Sequence, residues 1–160
     1  MIGATTLTRR RRRAPQVLAV VVAALALFAT TACTPQNEAQ DRLNADRAAY
    51  GLPALPSEAQ LFAKAQSWAD YMAAVGRISH SNLTQGLPAG WRYAGENVGC
   101  GNTLASIEQS FMNSSGHRAN ILGTRWTHVA SGVARGDCVT SSGFVIHNAY
   151  FVSQVFVEIR

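Results

Sequence analysis

The chain has 160 residues and carries 14 Lys and Arg against 9 Asp and Glu, a formal excess of +5. Five of the arginines form one run, Arg9–Arg13, so the rest of the chain holds equal numbers of positive and negative side chains. The basic balance belongs to the N-terminus alone, so it is no evidence for nucleic acid or acidic ligands, and no nucleic-acid partner is expected.

Behind the arginines lie the apolar stretch Val17–Ala29 and then Thr30, Thr31, Ala32 and Cys33. A basic start, about 7–15 apolar residues and small residues before a cut describe a secretory signal. A membrane span would need about 20 apolar residues. Residues 1–32 are therefore expected to direct export. Small residues leading into Cys33 also resemble the lipobox of bacterial lipoproteins, whose cysteine is acylated, although Thr30 stands where leucine is usual. The expectation is a lipoprotein of the cell envelope or cell surface, with plain secretion as the alternative. Three cysteines leave one over in an oxidising compartment. With Cys33 lipidated, Cys100 and Cys138 remain to form a disulfide, unless they are two buried thiols.

The remaining residues suit one domain with one core. Residues 33–40 are polar and read as a short tether, leaving 41–160 as the domain. Leu43, Arg47 or Ala48, and Tyr50 fall at roughly helical spacing before Gly51 and Pro53 stop the pattern. Ser57, with Gln60 three residues on, reads as a capping box. Leu61, Ala65, Trp68, Met72 and Val75 then mark one helix face, ended by Gly76. Residues 77–102 are rich in Gly, Ser and Asn and read as a long functional loop. Helical spacing returns at Leu104, Ile107 and Phe111. The last third is β-rich, and from Tyr150 apolar side chains fall on both faces, as in a strand covered on both sides. Helices first and strands later favour an α+β layering over a parallel βαβ sheet.

Four histidines are candidates for chemistry. His80 and His117 sit in polar, glycine-bearing segments, with Glu96 between them in sequence. Two imidazoles and a carboxylate can bind a divalent metal with water in an open position, or work as an acid–base pair. They can equally be a hydrogen-bonded lock between two loops. His128 and His147 lie in strand-like stretches and read as structural. The chain has neither a G-x-S-x-G elbow nor an H-E-x-x-H helix.

Taken in order, NADRAAYGLPAL, LFAKAQSWADYMAAVG, SHS, GENV, FMNSSGHRANIL, ASGVA and YFVSQVF resemble the CAP superfamily over about residues 38–158. That superfamily joins cysteine-rich secretory proteins, antigen 5 allergens and pathogenesis-related proteins, with bacterial SCP-like extracellular members. The resemblance implies an α+β fold, a three-layer α–β–α sandwich around an antiparallel sheet. It also implies a cleft where two histidines and two glutamates converge, which binds zinc or another divalent cation in some members. His80, Glu96 and His117 match three of those positions. Phe111 stands where the family has tryptophan, and Ser114 where it has the second glutamate. A hydroxyl is a poor ligand beside a carboxylate, so no cofactor is expected beyond a weakly bound zinc or other divalent cation. Asn97 and Asn120 are expected to pin the loops around the cleft, and Gly116 to let the backbone turn closely beside His117.

The expected function is that of an exported, lipid-anchored, non-enzymatic binding module of the envelope or surface. Its partners are the membrane, through lipid on Cys33, and a lipid, sterol-like or cell-wall ligand. The alternative is a divalent-metal-dependent hydrolase using His80, Glu96 and His117; no catalytic residue is assigned.

Overall fold

The computed structural model describes Gly3 and residues 34–160; the expected signal and Cys33 lie outside the described residues. The first helix, α1, spans Pro35–Ala49, with the Thr34 hydroxyl accepting from the Asn37 N–H at 3.2 Å. The segment expected as a tether is thus helical from Pro35. Proline at a helix start gives up only an N–H that has no intrahelical partner. An Arg42–Glu38 pair at 2.8 Å one turn apart and the burial of Ala39 make these the opening turns of a core helix. Leu43 and Arg47 are buried on the same face, whereas Tyr50 is 61% exposed. The Arg47 guanidinium donates to the carbonyls of Pro53, Ile121 and Gly123 at 2.9, 2.7 and 2.9 Å. Burial lowers its pKa from the ordinary value.

Helix α2 runs Ala59–Val75 and is capped by Glu58 rather than Ser57. The Glu58 carboxylate accepts from the N–H groups of Gln60 and Leu61 at 3.0 and 2.8 Å, serving two otherwise unmet donors at once. The helix buries Leu61, Ala65, Ala69 and Met72, while Val75 is exposed. Gly76 stops it in the left-handed region, at φ 71°.

The strands are β1 (Trp91–Gly101), β2 (His128–Val139) and β3 (Val145–Ile159), and the helices α3 (Leu104–Asn113) and α4 (Ser115–Ile121) lie between the first two. The sheet is antiparallel in the order β1-β3-β2. Strand β1 occupies the second half of the stretch that reads as a loop. Its glycines give it little strand propensity of its own, and pairing with β3 from Trp91–Ile159 to Gly101–Tyr150 holds it extended.

Alternation along β3 divides the molecule into layers. Val152 and Phe156 cluster with residues of α1, α3 and α4. Phe151, Val155 and Val157 join the clusters built on Leu61, Ala65 and Met72 of α2. Burial is unbroken from Phe151 to Glu158, as a central strand covered on both sides requires. The fold is therefore an α–β–α sandwich. Among the described residues no helix is long and apolar enough to cross a membrane.

Two contacts fix α2 on the sheet. A Cβ at Gly132 would run into the backbone of Ala65 and Gln66, and one at Gly136 would meet the Ala73 carbonyl oxygen at 2.6 Å. Ala65 to Ala73 rises about 12 Å along a helix, and Gly132 to Gly136 about 13 Å along a strand, so helix and strand run in step. Gln66 also donates to the Val133 carbonyl at 2.9 Å and accepts from its N–H at 3.1 Å, closing part of the open β2 edge. A disulfide between Cys100 and Cys138, 38 residues apart, ties β1 to β2 across β3. In the chain-entropy account such a crosslink contributes about 3–4 kcal/mol.

Gly132→Ala is expected to lower the stability of the 34–160 domain by about 1–3 kcal/mol, because backbone rather than a flexible side chain must give way. Gly116→Ala, whose Cβ would stand in open space, should be neutral or stabilising by up to about 1 kcal/mol. Urea unfolding of the two variants measures the contrast. Equal losses would mean that close packing of α2 on β2 is not what Gly132 supplies.

Candidate functional site

The edge strand β1 carries the site. Glu96 pairs with Val155 and Asn97 with Gln154, so these neighbours point to opposite faces of the sheet. Glu96 Oε2 is hydrogen-bonded to His80 Nδ1 at 2.8 Å and accepts from the Ser81 N–H at 2.9 Å. The histidine side chain is 62% exposed and the glutamate side chain 2%. Glu96 Oε1 is buried without a partner. Lys64, on α2, donates to Ser81 Oγ at 3.1 Å and to the Asn82 carbonyl at 2.9 Å. Its pKa is lowered by burial, against the opposing pull of Glu96. The His80 segment is thus fastened to α2 on one side and to β1 on the other.

His117 comes from the opposite layer. It lies in α4, and its ring packs on Phe111 with centroids 4.9 Å apart. Burial chiefly, and then the charge of His80, lower its pKa, which favours the neutral imidazole. Gly116 plays no part in a tight turn here: a Cβ would find open space, and its φ is not positive. The close approach falls instead at Gly95, where a Cβ would meet Asn120 Oδ1 at 2.9 Å. Ser114 precedes α4 but makes no side-chain capping bond.

Asn97 on β1 and Asn120 on α4 are hydrogen-bonded to each other. Asn97 Nδ2 donates to the His117 carbonyl at 3.2 Å and to Gln154 Oε1 at 3.0 Å. Asn120 Nδ2 donates to Asn97 Oδ1 at 2.9 Å and to the Glu96 carbonyl at 3.3 Å. Trp126 Nε1 in turn donates to the Asn120 carbonyl at 2.7 Å. Gln154 also donates to Glu108 Oε2 at 2.6 Å, extending the network into α3. Sequence reasoning missed Glu108, although its signal was present: four residues after Leu104, it occupies the buried face of an amphipathic helix. His128 and His147 stand apart from this network. His128 Nδ1 is bonded to Thr127 Oγ1 at 3.0 Å, and His147 Nδ1 to Asp137 Oδ2 at 2.9 Å.

The donor set does not suit a resident divalent metal. Among the described residues no three His, Cys, Asp or Glu side chains are grouped so as to hold an ion. Glu96 Oε2, the natural third ligand to His80 and His117, already serves His80 Nδ1 and the Ser81 N–H. Ser114 offers only a neutral hydroxyl where a second carboxylate would be needed.

Comparison with known proteins identifies the family and the fold. A sequence model of the cysteine-rich secretory protein family, CAP, matches residues 40–156. YkwD of Bacillus subtilis is 29% identical over 111 residues, covering 64% of this chain and 43% of that protein, so the chain spans less than half of that relative's length. An outer surface protein of Borrelia burgdorferi superposes with a TM-score of 0.60 at 16% identity, covering 79% of this chain and 93% of that one. An extracellular SCP-domain protein of Bacillus anthracis gives a TM-score of 0.57 at 24% identity, covering 78% of this chain and 40% of that one. A Staphylococcus aureus cysteine-rich secretory protein gives 0.56 at 22% identity, with 78% and 38% covered. At these identities the solved structures speak for the fold alone. The family match takes in the candidate residues, Glu96 and Asn97 on β1 and His117 and Asn120 on α4 among them, and the chain belongs to the CAP family.

Proposed function

We propose that the chain is an exported CAP domain that works as a non-enzymatic binding module of the cell envelope, held there by lipid on Cys33. The observation that carries the reading is the Glu96 carboxyl group, whose Oε2 is committed to His80 Nδ1 and the Ser81 N–H. A general base must reach the proton that it removes, and this group is turned inward as a lock. Beside the lock, between α2 and residues 81–86, runs an open groove of about 650 Å³ lined by Gln60, Lys64, Trp68, Ser81, Asn82 and Gln85. One aromatic ring among several hydrogen-bonding side chains suits a ligand with both apolar and polar faces, such as a wall polymer or a lipid headgroup. Export is supported by the disulfide, a bond typical of oxidising compartments, and by the basic and apolar N-terminus. It is further supported by similarity to proteins described as extracellular or outer-surface.

Calorimetric titration of zinc into the 34–160 domain tests the cleft, at about pH 7.5 and about pH 5.5 because ligating histidines must be neutral. No saturable binding is expected, and a His80→Ala/His117→Ala variant should give the same trace. Stoichiometric binding that disappears at the lower pH and in the variant would revive the metal-hydrolase alternative. Retention of the domain on isolated cell-wall material and on lipid vesicles tests the groove. Saturable retention that survives chelator and is lost in Trp68→Ala is expected, and indifference to Trp68 would remove the groove from the reading.

The anchor is tested separately. In the producing cell, Cys33→Ala is expected to move the protein from the membrane fraction to the soluble exported fraction. An unchanged distribution would exclude acylation of Cys33 as the anchor.

A further inference from the structure

The turn between β2 and β3 carries apolar surface that neither the core nor the cleft uses. Phe144 is 75% exposed, more than any other large apolar side chain among the described residues, and Val145 beside it is exposed too. The turn is held in shape. The Thr140 N–H and hydroxyl both donate to the Phe144 carbonyl, at 2.8 and 3.1 Å, and the Val139 N–H donates to the Gly76 carbonyl at 2.8 Å. That last bond brings up the end of α2, where exposed Ile78 and Arg77 line an open cavity of about 520 Å³ with Val139, Thr140, Ser141 and Gly143. From Cys138 to Ile146 the sequence has no charged residue. The adjoining carboxylate, Asp137, is engaged behind the turn by His147 Nδ1 and the Asn148 N–H, each at 2.9 Å.

We propose that this turn is a second membrane contact, in which Phe144 and Val145 enter the bilayer that holds the lipid on Cys33.

The proposal rests on the lipid-anchored reading and names what the anchored domain presents to the membrane. Residues 1–33 join the described domain at Thr34, the cap of α1. Gln36 bonds to the Val133 carbonyl and Gln40 to the Ser131 hydroxyl, so the start of α1 lies toward the β2 end that leads into the turn. From Arg135 to Val139 the strand advances about 13 Å, which carries the turn beyond the anchored residue. The other end of the sandwich holds Tyr50, about 22 Å from Thr34 along the 15 residues of α1. A leash of one residue spans less than about 4 Å, so that end cannot meet the bilayer end-on.

The chemistry of the turn suits a lipid surface. Apolar side chains of an interfacial segment settle about 5–10 Å into the boundary between headgroups and acyl chains. Phe144 and Val145 can do so without desolvating a charge, while the hydroxyls of Thr140, Ser141 and Ser142 stay among the headgroups. Arg77 can lay its stem along the apolar surface and bring its guanidinium to lipid phosphates. One phenylalanine is too small a contact to hold the domain unaided, so the unanchored 34–160 domain does not bind vesicles through the turn.

The test uses the 33–160 chain, which contains all the core clusters. With Cys100 and Cys138 in a disulfide, Cys33 is its one free thiol and is alkylated with a single tetradecyl chain. One such chain gives only marginal binding, so a second contact is measurable. Sedimentation with vesicles of equal parts phosphatidylcholine and phosphatidylglycerol reads the partition. Phe144→Ser is expected to weaken it by at least about tenfold, and Phe144→Leu to retain most of it. Tyr50→Ser, a change at an exposed aromatic of the far end, should leave it unaltered. Equal partition of Phe144→Ser and the unmodified chain would overturn the proposal, as would an equal loss in Tyr50→Ser. A loss in Trp68→Ala with none in Phe144→Ser would move the contact to the groove and overturn it as well. Because the chain is attached chemically, these outcomes do not depend on acylation in the cell, which fractionation of Cys33→Ala reads separately.

Discussion

Gln154 sits at the middle of a strand that is covered on both sides, and its side chain is fully buried. A polar side chain in that position is tolerable only when its amide finds partners. Asn97 and Glu108 supply them, one from the neighbouring strand and one from α3. The placement of α4 depends on this arrangement. Asn97 is oriented by Gln154, Asn120 by Asn97, and the start of α4 by both, so His117 stands on a wall built outward from the core. A short helix of this kind, Ser115–Ile121, has little stability by itself. Its position is imposed by the amides beneath it and by Arg47, which closes the carbonyls at its far end.

The opposite wall is built on a different principle. His80 stands on an irregular segment, where backbone groups have few partners of their own. Glu96 receives both the imidazole and the Ser81 N–H, and Lys64 holds Ser81 and Asn82 from the α2 side. The two histidines therefore reach the same edge of the sheet on separately braced supports. Such bracing suits a preformed recognition surface, since a rigid site has less ordering left to do when its ligand arrives.

Much of this was legible in the sequence, and the exceptions have physical reasons. The α2 face, the α3 helix and the double cover of β3 follow from periodicity, because burial leaves a regular apolar pattern. His80, Glu96, Asn97, His117 and Asn120 stood out as polar residues in glycine-bearing segments, and hydrogen bonds join them around β1. Strand β1 escaped because Gly95 and Gly99 are there for close approach to Asn120 and Phe111, not for strand propensity. The opening of α1 escaped because Gln36, Asn37, Glu38 and Gln40 hide a helix whose inward side is small and polar. Gln36 and Gln40 reach the backbone of Val133 and the hydroxyl of Ser131, contacts with no apolar signature. Glu108 was hidden for the opposite reason: a charged residue at a core position looks like a surface residue until the helix face is drawn.

The helical start of the domain also governs how a lipid on Cys33 would present it. Only Thr34 separates that cysteine from Pro35, and Thr34 is already the cap of α1. A flexible linker gains reach as about 5–6 Å times the square root of its length, so one residue allows almost none. Gln36 contacts Val133 and Gln40 contacts Ser131, so α1 runs antiparallel to β2 and begins near the Val133–Arg135 level of the sheet. Glu96 stands level with Val155 and Ala130, whereas Val133 stands level with Val152. The three residues from Val152 to Val155 put Glu96 about 10 Å further along the strand, away from the start of α1. With lipid on Cys33, as proposed, so short a leash would keep the domain close to the bilayer, where a long polar tether would let it move away.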